Sequence, residues 1–569
     1  SVAVGASALR TQNPATATSM YNTAIGHFAG YAVTTGDQNN LIGGLAGDAL
    51  TTGTKNNAFG YRALSDDTKG SKSVAIGNFT LATQNFTTAT DSFNTAVGHG
   101  AGESVTTGQY NNLVGGLSGD ALTVGAANVA MGYTALTTET KGSNNVALGH
   151  AALGSQNFTT ETAVYNTAVG SNAGGQITTG FYNTLIGGLA GDALSDADNN
   201  VAVGLSALSA DTLGSRSTAL GRSALATQNF TTATDTYNTA VGYSAGFAIT
   251  TGTNNTLVGG LAGDALTEGD GNTAVGLAAL STDTLGERST AVGQSALQNQ
   301  NFATETFTYN VAVGYNSGIT VTTGVNNTIL GAIACDALLT GSENVAVGRS
   351  ALTGDTEGSH AVAVGFQALA AQNFTTATDN LNVAVGYNAG VSMTTGIYNT
   401  LIGGQAGDSL TDADGNVAVG LNALTSDTLG SKSTAIGRSA LAIQNFGTAT
   451  DTYNTAVGYF AGVNITTAVH NTLIGGLAGD ALTTGDSNIA VGLSALTSDT
   501  KGERAVAIGE GALASQNFTT STNNYNVAIG YNAGYNVTTG QNNAIVGGIA
   551  ADSLTTGTAN AVLGGAALG

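Results

Sequence analysis

One cysteine, one proline and no tryptophan occur in 569 residues. With Cys335 alone, a disulfide scaffold is impossible. With Pro14 alone and no strict three-residue glycine period, collagen is excluded. Charge is scarce too: Lys, Arg, Asp and Glu make up 9% of the chain, against about 25% in an ordinary soluble domain. No apolar run approaches the ~18–20 residues a membrane-spanning helix needs. An apolar fraction of 42% is nevertheless too high for a solvated disordered chain. The net charge of −22 would repel a phosphate backbone. The basic residues, such as Lys72, Arg216, Arg288 and Lys432, are isolated, so neither nucleic acid nor an anionic membrane is an expected partner.

What the chain has in abundance is glycine, 83 residues of it, and a strict period. SVAVG at 1–5 returns as SVAIG at 73–77, NVALG at 145–149, STALG at 217–221 and STAVG at 289–293, then at 361, 433 and 505. Each step is 72 residues. Inside a block, units open at Ser73, Asn94, Asn111 and Asn128, steps of 21, 17, 17 and 17. Eight blocks of four coils predict one continuous solenoid over residues 1–569, because independent globular domains would not keep such register.

Position five of every unit is Gly (Gly5, Gly26, Gly43, Gly60), and position four is apolar (Val97, Ile186, Val241). Position three is mostly Ala, or Leu and Ile as in Leu41, Leu113 and Ile329. A second Gly recurs at position fifteen (Gly36, Gly53, Gly70). This pattern predicts a short strand, a glycine turn, a second extended segment and a second glycine turn. The expected fold is all-β, a parallel β-solenoid of the flat β-roll kind, with coils about 4.8 Å apart. In NTAVG at 238–242, Ala240 and Gly242 point one way and Thr239 and Val241 the other. If the Ala side faces inward, a continuous apolar stripe stays outside and calls for a homo-oligomer. The competing expectation is the reverse polarity, with the Val/Ile side as a monomer core.

NTAIGHFAG at 22–30 and NTAVGYSAG at 238–246 resemble the head repeats of trimeric autotransporter adhesins. The longer form, NTAVG followed by TTG and NTLIGG at 166–188, resembles the repeat shafts of bacteriophage tail fibres. The resemblance covers all eight blocks and implies a left-handed roll in a homotrimer, intertwined or side by side. Autotransporter repeats are shorter, and neither a heptad stalk, a membrane barrel nor a self-cleaving chaperone domain is visible in the sequence. The chain is expected to be an excerpt of a longer fibre, since it opens in register and stops inside a unit.

Candidate binding residues lie in the 21-residue unit, which carries a Gln-Asn-Phe segment. Phe86, Phe158, Phe230, Phe302, Phe374, Phe446 and Phe518 could stack on a sugar, or could simply fill a wider coil. An aromatic usually closes the same unit, as at Tyr21, Phe93, Tyr165, Tyr237, Tyr309, Tyr453 and Tyr525. One Asp recurs per block: Asp48, Asp120, Asp192, Asp264, Asp336, Asp408, Asp480 and Asp552. It lacks the partners of a calcium ladder and is expected to be a turn residue bonding local backbone N–H groups. The five histidines (His27, His99, His150, His360, His470) show no partner at metal-ligand spacing. No catalytic triad or carboxylate pair emerges, and no cofactor, metal or enzymatic activity is expected.

The sequence therefore predicts a non-catalytic shaft of an extracellular bacteriophage attachment fibre, exposed on the virion and serving host-cell adhesion. Its expected partner is itself, as a trimer, with a cell-surface glycan or protein receptor as a further candidate. The alternatives are a bacterial surface adhesin of the trimeric autotransporter type and a carbohydrate-binding module using the Phe86-type loops.

Overall fold

The computed structural model describes residues 1–16 and 18–568, all of them strand, turn or irregular structure. The chain divides into two compact units, Ser1–Leu285 and Gly286–Gly569. Both are built the same way, as parallel β-solenoids. Each coil opens with a three-residue strand, such as Thr23–Ile25, Asn40–Ile42 and Asn57–Phe59 in the first unit. Successive strands pair parallel with no slip: Ala24 faces Leu41, and Leu41 faces Ala58. The second unit repeats this with Val311–Val313, Thr328–Leu330 and Val345–Val347.

Alternation decides which side is the core. Ala240 is fully buried, while Thr239 and Val241 on either side remain half-exposed. The small side thus faces inward, and the reverse polarity is ruled out. A narrow interior explains the preference for Ala, because adjacent coils leave little width. Ala245, Gly246 and Ile249 complete the dry side of that coil, and Leu64 or Leu136 takes the place of Gly246, position nine, in other coils.

The far side differs from the expected second strand. It consists of hydrogen-bonded turns, and its backbone still ladders from coil to coil. The N–H groups of Gly30, Ala32 and Thr34 donate to the carbonyls of Ala46, Asp48 and Thr51 at 2.9, 2.8 and 2.9 Å. Left-handed torsions make these turns, and many belong to residues with a side chain: Arg62 (φ 57°), Leu64 (φ 55°) and Lys72 (φ 61°). Among the described residues a regular second strand pair forms only beside the 21-residue coil, as where Gly70–Ser71 pairs with Thr90–Asp91.

The two recurrent glycines are needed for different reasons. Gly242 has φ +145°, and a Cβ there would lie 2.4 Å from the Gly259 carbonyl oxygen. Gly36 lies outside the left-handed region, yet its Cβ would sit 2.3 Å from the Gly53 carbonyl oxygen. Torsion and close approach both fix position five. Close approach alone favours Gly at position fifteen, and it is relieved in the coils that carry Ala197, Ala413 or Ala468 there.

An asparagine ladder ties the coil starts together. The Asn22 side-chain amide donates to the Gly36 carbonyl at 2.8 Å, and its Oδ1 accepts the Asn39 backbone N–H at 2.8 Å. Asn39 does the same with Gly53 and Asn56, at 2.9 and 3.0 Å. These amides are almost completely buried, so each must find partners, and the stacking supplies them.

Candidate functional site: the widened coil and the outer sheet face

The Phe86 series does not form a surface. Phe86, Phe158, Phe230, Phe302, Phe374, Phe446 and Phe518 are all buried, none exposing more than 8% of its area. A ring covered to that extent offers no face to a sugar, so the proposed stacking role gives way to filling the wider coil. The Gln of the same segment turns inward as well. Gln84 occupies position twelve, where the neighbouring coils carry Val33, Leu50 and Val105.

Beneath each such Gln lies a buried acid that the sequence reading did not single out. The Gln84 amide donates to Asp67 Oδ2 at 2.6 Å and to Ser73 Oγ at 2.9 Å, and its Oε1 accepts from the Asn94 amide at 2.9 Å. Asp67 Oδ1 also accepts the backbone N–H groups of Gly70 and Phe86, at 2.9 and 3.2 Å. The arrangement recurs with Glu139 and Gln156, Asp355 and Gln372, and Asp499 and Gln516. These acids are fully buried. Burial pushes the Asp67 carboxyl above its usual range, against the lowering pull of Gln84 and the two N–H groups. The available signal was an acidic residue 17 positions before every Gln of the segment.

The Asp48 column is half-buried. Burial raises the carboxyls of Asp48, Asp192, Asp264 and Asp480, each partly offset by a bond to its own backbone N–H. In four blocks a hydroxyl of the next coil bonds the Asp as well. Thr137 donates to Asp120 at 2.5 Å and Thr425 to Asp408 at 2.5 Å. Thr353 and Thr497 do the same for Asp336 and Asp480. Where Ser replaces Thr, the hydroxyl points elsewhere: Ser65 bonds Ala82 O and Ser209 bonds Ala226 O. The Oδ1 atoms of Asp48, Asp192 and Asp264 are then buried without a partner.

The outward face of the long sheet is apolar in the middle and aromatic at both borders. Tyr237, Thr239, Val241 and Tyr243 alternate onto it from one strand and its flanks. Ile25, Met131, Ile186 and Ile402 expose 39–45% of their area along the same face. On one border a cation from the preceding coil meets five of the coil-closing rings, Phe93, Tyr237, Tyr309, Tyr453 and Tyr525. Lys72 Nζ lies 4.7 Å from the Phe93 centroid and 2.6 Å from Asp91. Arg216 lies 5.5 Å from the Tyr237 ring and 2.7 Å from Asp235. Phe93 in turn stacks on Tyr110 at 5.8 Å, and Tyr453 on His470 at 5.8 Å. Such exposed pairs contribute little to stability, but they keep the rings upright.

Among the histidines, His360 does pair with carboxylates, contrary to the sequence reading. Its Nε2 lies 3.0 Å from Glu343 and its Nδ1 3.0 Å from Asp379, partners drawn from the coils on either side. Cys335 is buried, and burial pushes its thiol up, away from nucleophilic thiolate. Among the described residues, no group of three or more His, Cys, Asp or Glu side chains could hold a metal ion, and no helix is long and apolar enough to cross a membrane. No protein family, curated protein or solved structure matches the chain.

Proposed function

We propose that this chain is a structural, non-catalytic segment of an extracellular attachment fibre, the shaft that carries an adhesive tip on a bacteriophage. The observation that carries this reading is the outer sheet face, whose exposed Ile, Val, Leu and Met side chains recur at every coil. An apolar surface so long is not left in water by a soluble monomer. A second and third copy in parallel register would cover it level by level, because each copy presents the same residues at the same height. The fully hydrogen-bonded Asn ladder and the interlocked glycine corners suit a load-bearing element. Labelling by gold-conjugated antibodies against this chain, viewed by electron microscopy on material from the source organism, tests the reading. Gold along fibres projecting from virus particles is expected. Gold on a bacterial envelope would favour the autotransporter-type adhesin instead, and gold confined to the cell interior would overturn both.

A further inference from the structure

The repeat is interrupted at one spot of its surface. Position ten in the second coil of a block carries a substantial side chain, as in Tyr31, Glu103, Phe247, Ile319 and Val391, but in the third block it is Gly175. One coil earlier the same column holds Arg10, Ala82, Ala226 or Gln298, and in the third block Gly154. Neither glycine has a left-handed torsion. A Cβ would approach Ala151 O at 3.1 Å and Asn172 O at 3.3 Å, a tight fit that the sibling blocks accommodate with real side chains. The backbone therefore does not demand glycine at either place.

Their absence of side chains opens a cavity of about 450 Å³ on the surface of the first unit. Its walls are Thr134, Thr137, Ser155, Asn172, Gln176 and Asp192. Hydroxyl and amide groups dominate, and the single charge is the Asp192 carboxylate. That carboxylate keeps acceptor capacity, since Ser209 does not supply the hydroxyl that Thr137 and Thr425 give Asp120 and Asp408. Asp48 and Asp264 share that trait, but the columns beside them carry Tyr31 and Phe247 where the third block has Gly175. The residues immediately before Thr134 and Ala151 are Tyr133 and His150, whose rings stack at 5.9 Å with planes 21° apart. Tyr133 is 57% exposed. Among the other blocks one ring stands at these positions in two, Tyr61 beside Asn78 and Phe366 beside Arg349, and none in the rest, as with Leu205 and Arg222.

We propose that this cavity binds one ring of a neutral or amino-bearing saccharide. A pyranose presents hydroxyls around its edge and a patch of C–H bonds on its face. Ser155, Asn172 and Gln176 supply donors and acceptors for the former and Asp192 an acceptor, while Thr134 and Thr137 already donate to Tyr133 O and Asp120. Ala151 and the bare Gly154 and Gly175 leave room for the latter. The volume falls within the range of small-molecule sites, about 300–1,000 Å³. An anionic sugar is disfavoured by Asp192 and by the net charge of −22. The inference does not rest on the fibre reading, because a surface adhesin or a shaft would use such a site equally.

Saturation-transfer NMR on the 569-residue chain, with glucose, galactose, mannose, N-acetylglucosamine and galactosamine as probes, tests it. At least one sugar is expected to receive saturation, and the signal is expected to vanish in the double variant Gly154→Ala/Gly175→Val. Both replacements copy residues that sibling blocks carry in place, as at Ala226 and Val391. Backbone circular dichroism reports whether the fold survives. If the double variant fails to fold, Gly175→Ala alone serves, and a weaker signal is expected. Silence from every probe on the unaltered chain, or an undiminished signal in the folded variant, would overturn the proposal. Neither outcome bears on where the antibody against the chain binds.

Discussion

From Asn94 to Met131 the interior stacks Ala96, Leu113 and Ala130, with Val105 and Leu122 closing the far side, and every one of them is fully buried. One coil further, Glu139 takes the closing position, and Gln156 follows it in the widened coil. The same cross-section thus holds an aliphatic layer over part of its length and a carboxylate–amide layer at each 21-residue coil. Aliphatic layers depend on volume and tolerate no loss of it. Polar layers depend on completeness, since each donor and acceptor removed from water needs a partner. The widened coil demonstrates how that is met: four additional residues bring Gln, Phe and a short second strand to the place where the acid of the preceding coil is buried.

The contrast can be broken first on the aliphatic side. Leu266→Ala empties a fully buried position and should cost about 2–5 kcal/mol, independent of pH. In a repeat protein such a loss is felt mainly by neighbouring coils. Hydrogen exchange resolved along the chain is therefore the appropriate measurement, with faster exchange expected near Leu266. Asp67→Ala should cost somewhat less, about 2–3 kcal/mol, by stranding the Gln84 amide and the Gly70 and Phe86 N–H groups. Exchange should accelerate at Gly70 and Phe86.

Acidification separates the two layers more finely. Burial raises the folded-state pKa of Asp67, and likewise those of Asp48, Asp192, Asp264 and Asp480. A raised carboxyl binds more protons in the folded state than in the unfolded one. Stability should therefore rise as pH falls from neutrality through these folded-state values, and be lost again as pH rises through them. Exchange protection around Asp67 should increase on mild acidification, after correction for the intrinsic rate, while the Leu113–Leu122 stretch stays level. The smallest expected effect concerns the Asp column. Ser209→Thr should give Asp192 a hydroxyl partner and stabilise its coils by about 0.5–1 kcal/mol. Thr425→Ser should remove the equivalent partner from Asp408 and destabilise by a similar amount, read by the same exchange experiment.

Much of the fold was legible because the signal repeats. A glycine such as Gly242 at position five, and Ala240 two residues before it, state the strand, its end and its inward side together. The second side was harder to read. Leu64 and Arg62 adopt left-handed torsions because the coils above and below impose them, and neither residue type announces such a turn. The buried acids were missed for a related reason. An isolated Asp67 or Glu139 defaults to the surface when read along the chain. It becomes an interior group only once the four-residue insertion is seen to set Gln84 or Gln156 against it. Phe86 left two readings open, since aromatic, Asn and Thr together resemble a sugar platform while a wider coil also needs bulk, and the buried rings are consumed in filling the coil that Gln widens. His360 shows the same limit, since Glu343 and Asp379 meet it across coils, not along the sequence.

The central proposal concerns the face that neither layer occupies: the outward stripe of Val, Ile and Met is proposed as a contact surface between copies of the chain. Sedimentation equilibrium on the unaltered chain tests it most directly. A species of three chain masses is expected, dissociating when Val241→Asp and Ile402→Asp place charge on the stripe. A stable, soluble monomer across the accessible concentration range would contradict the claim.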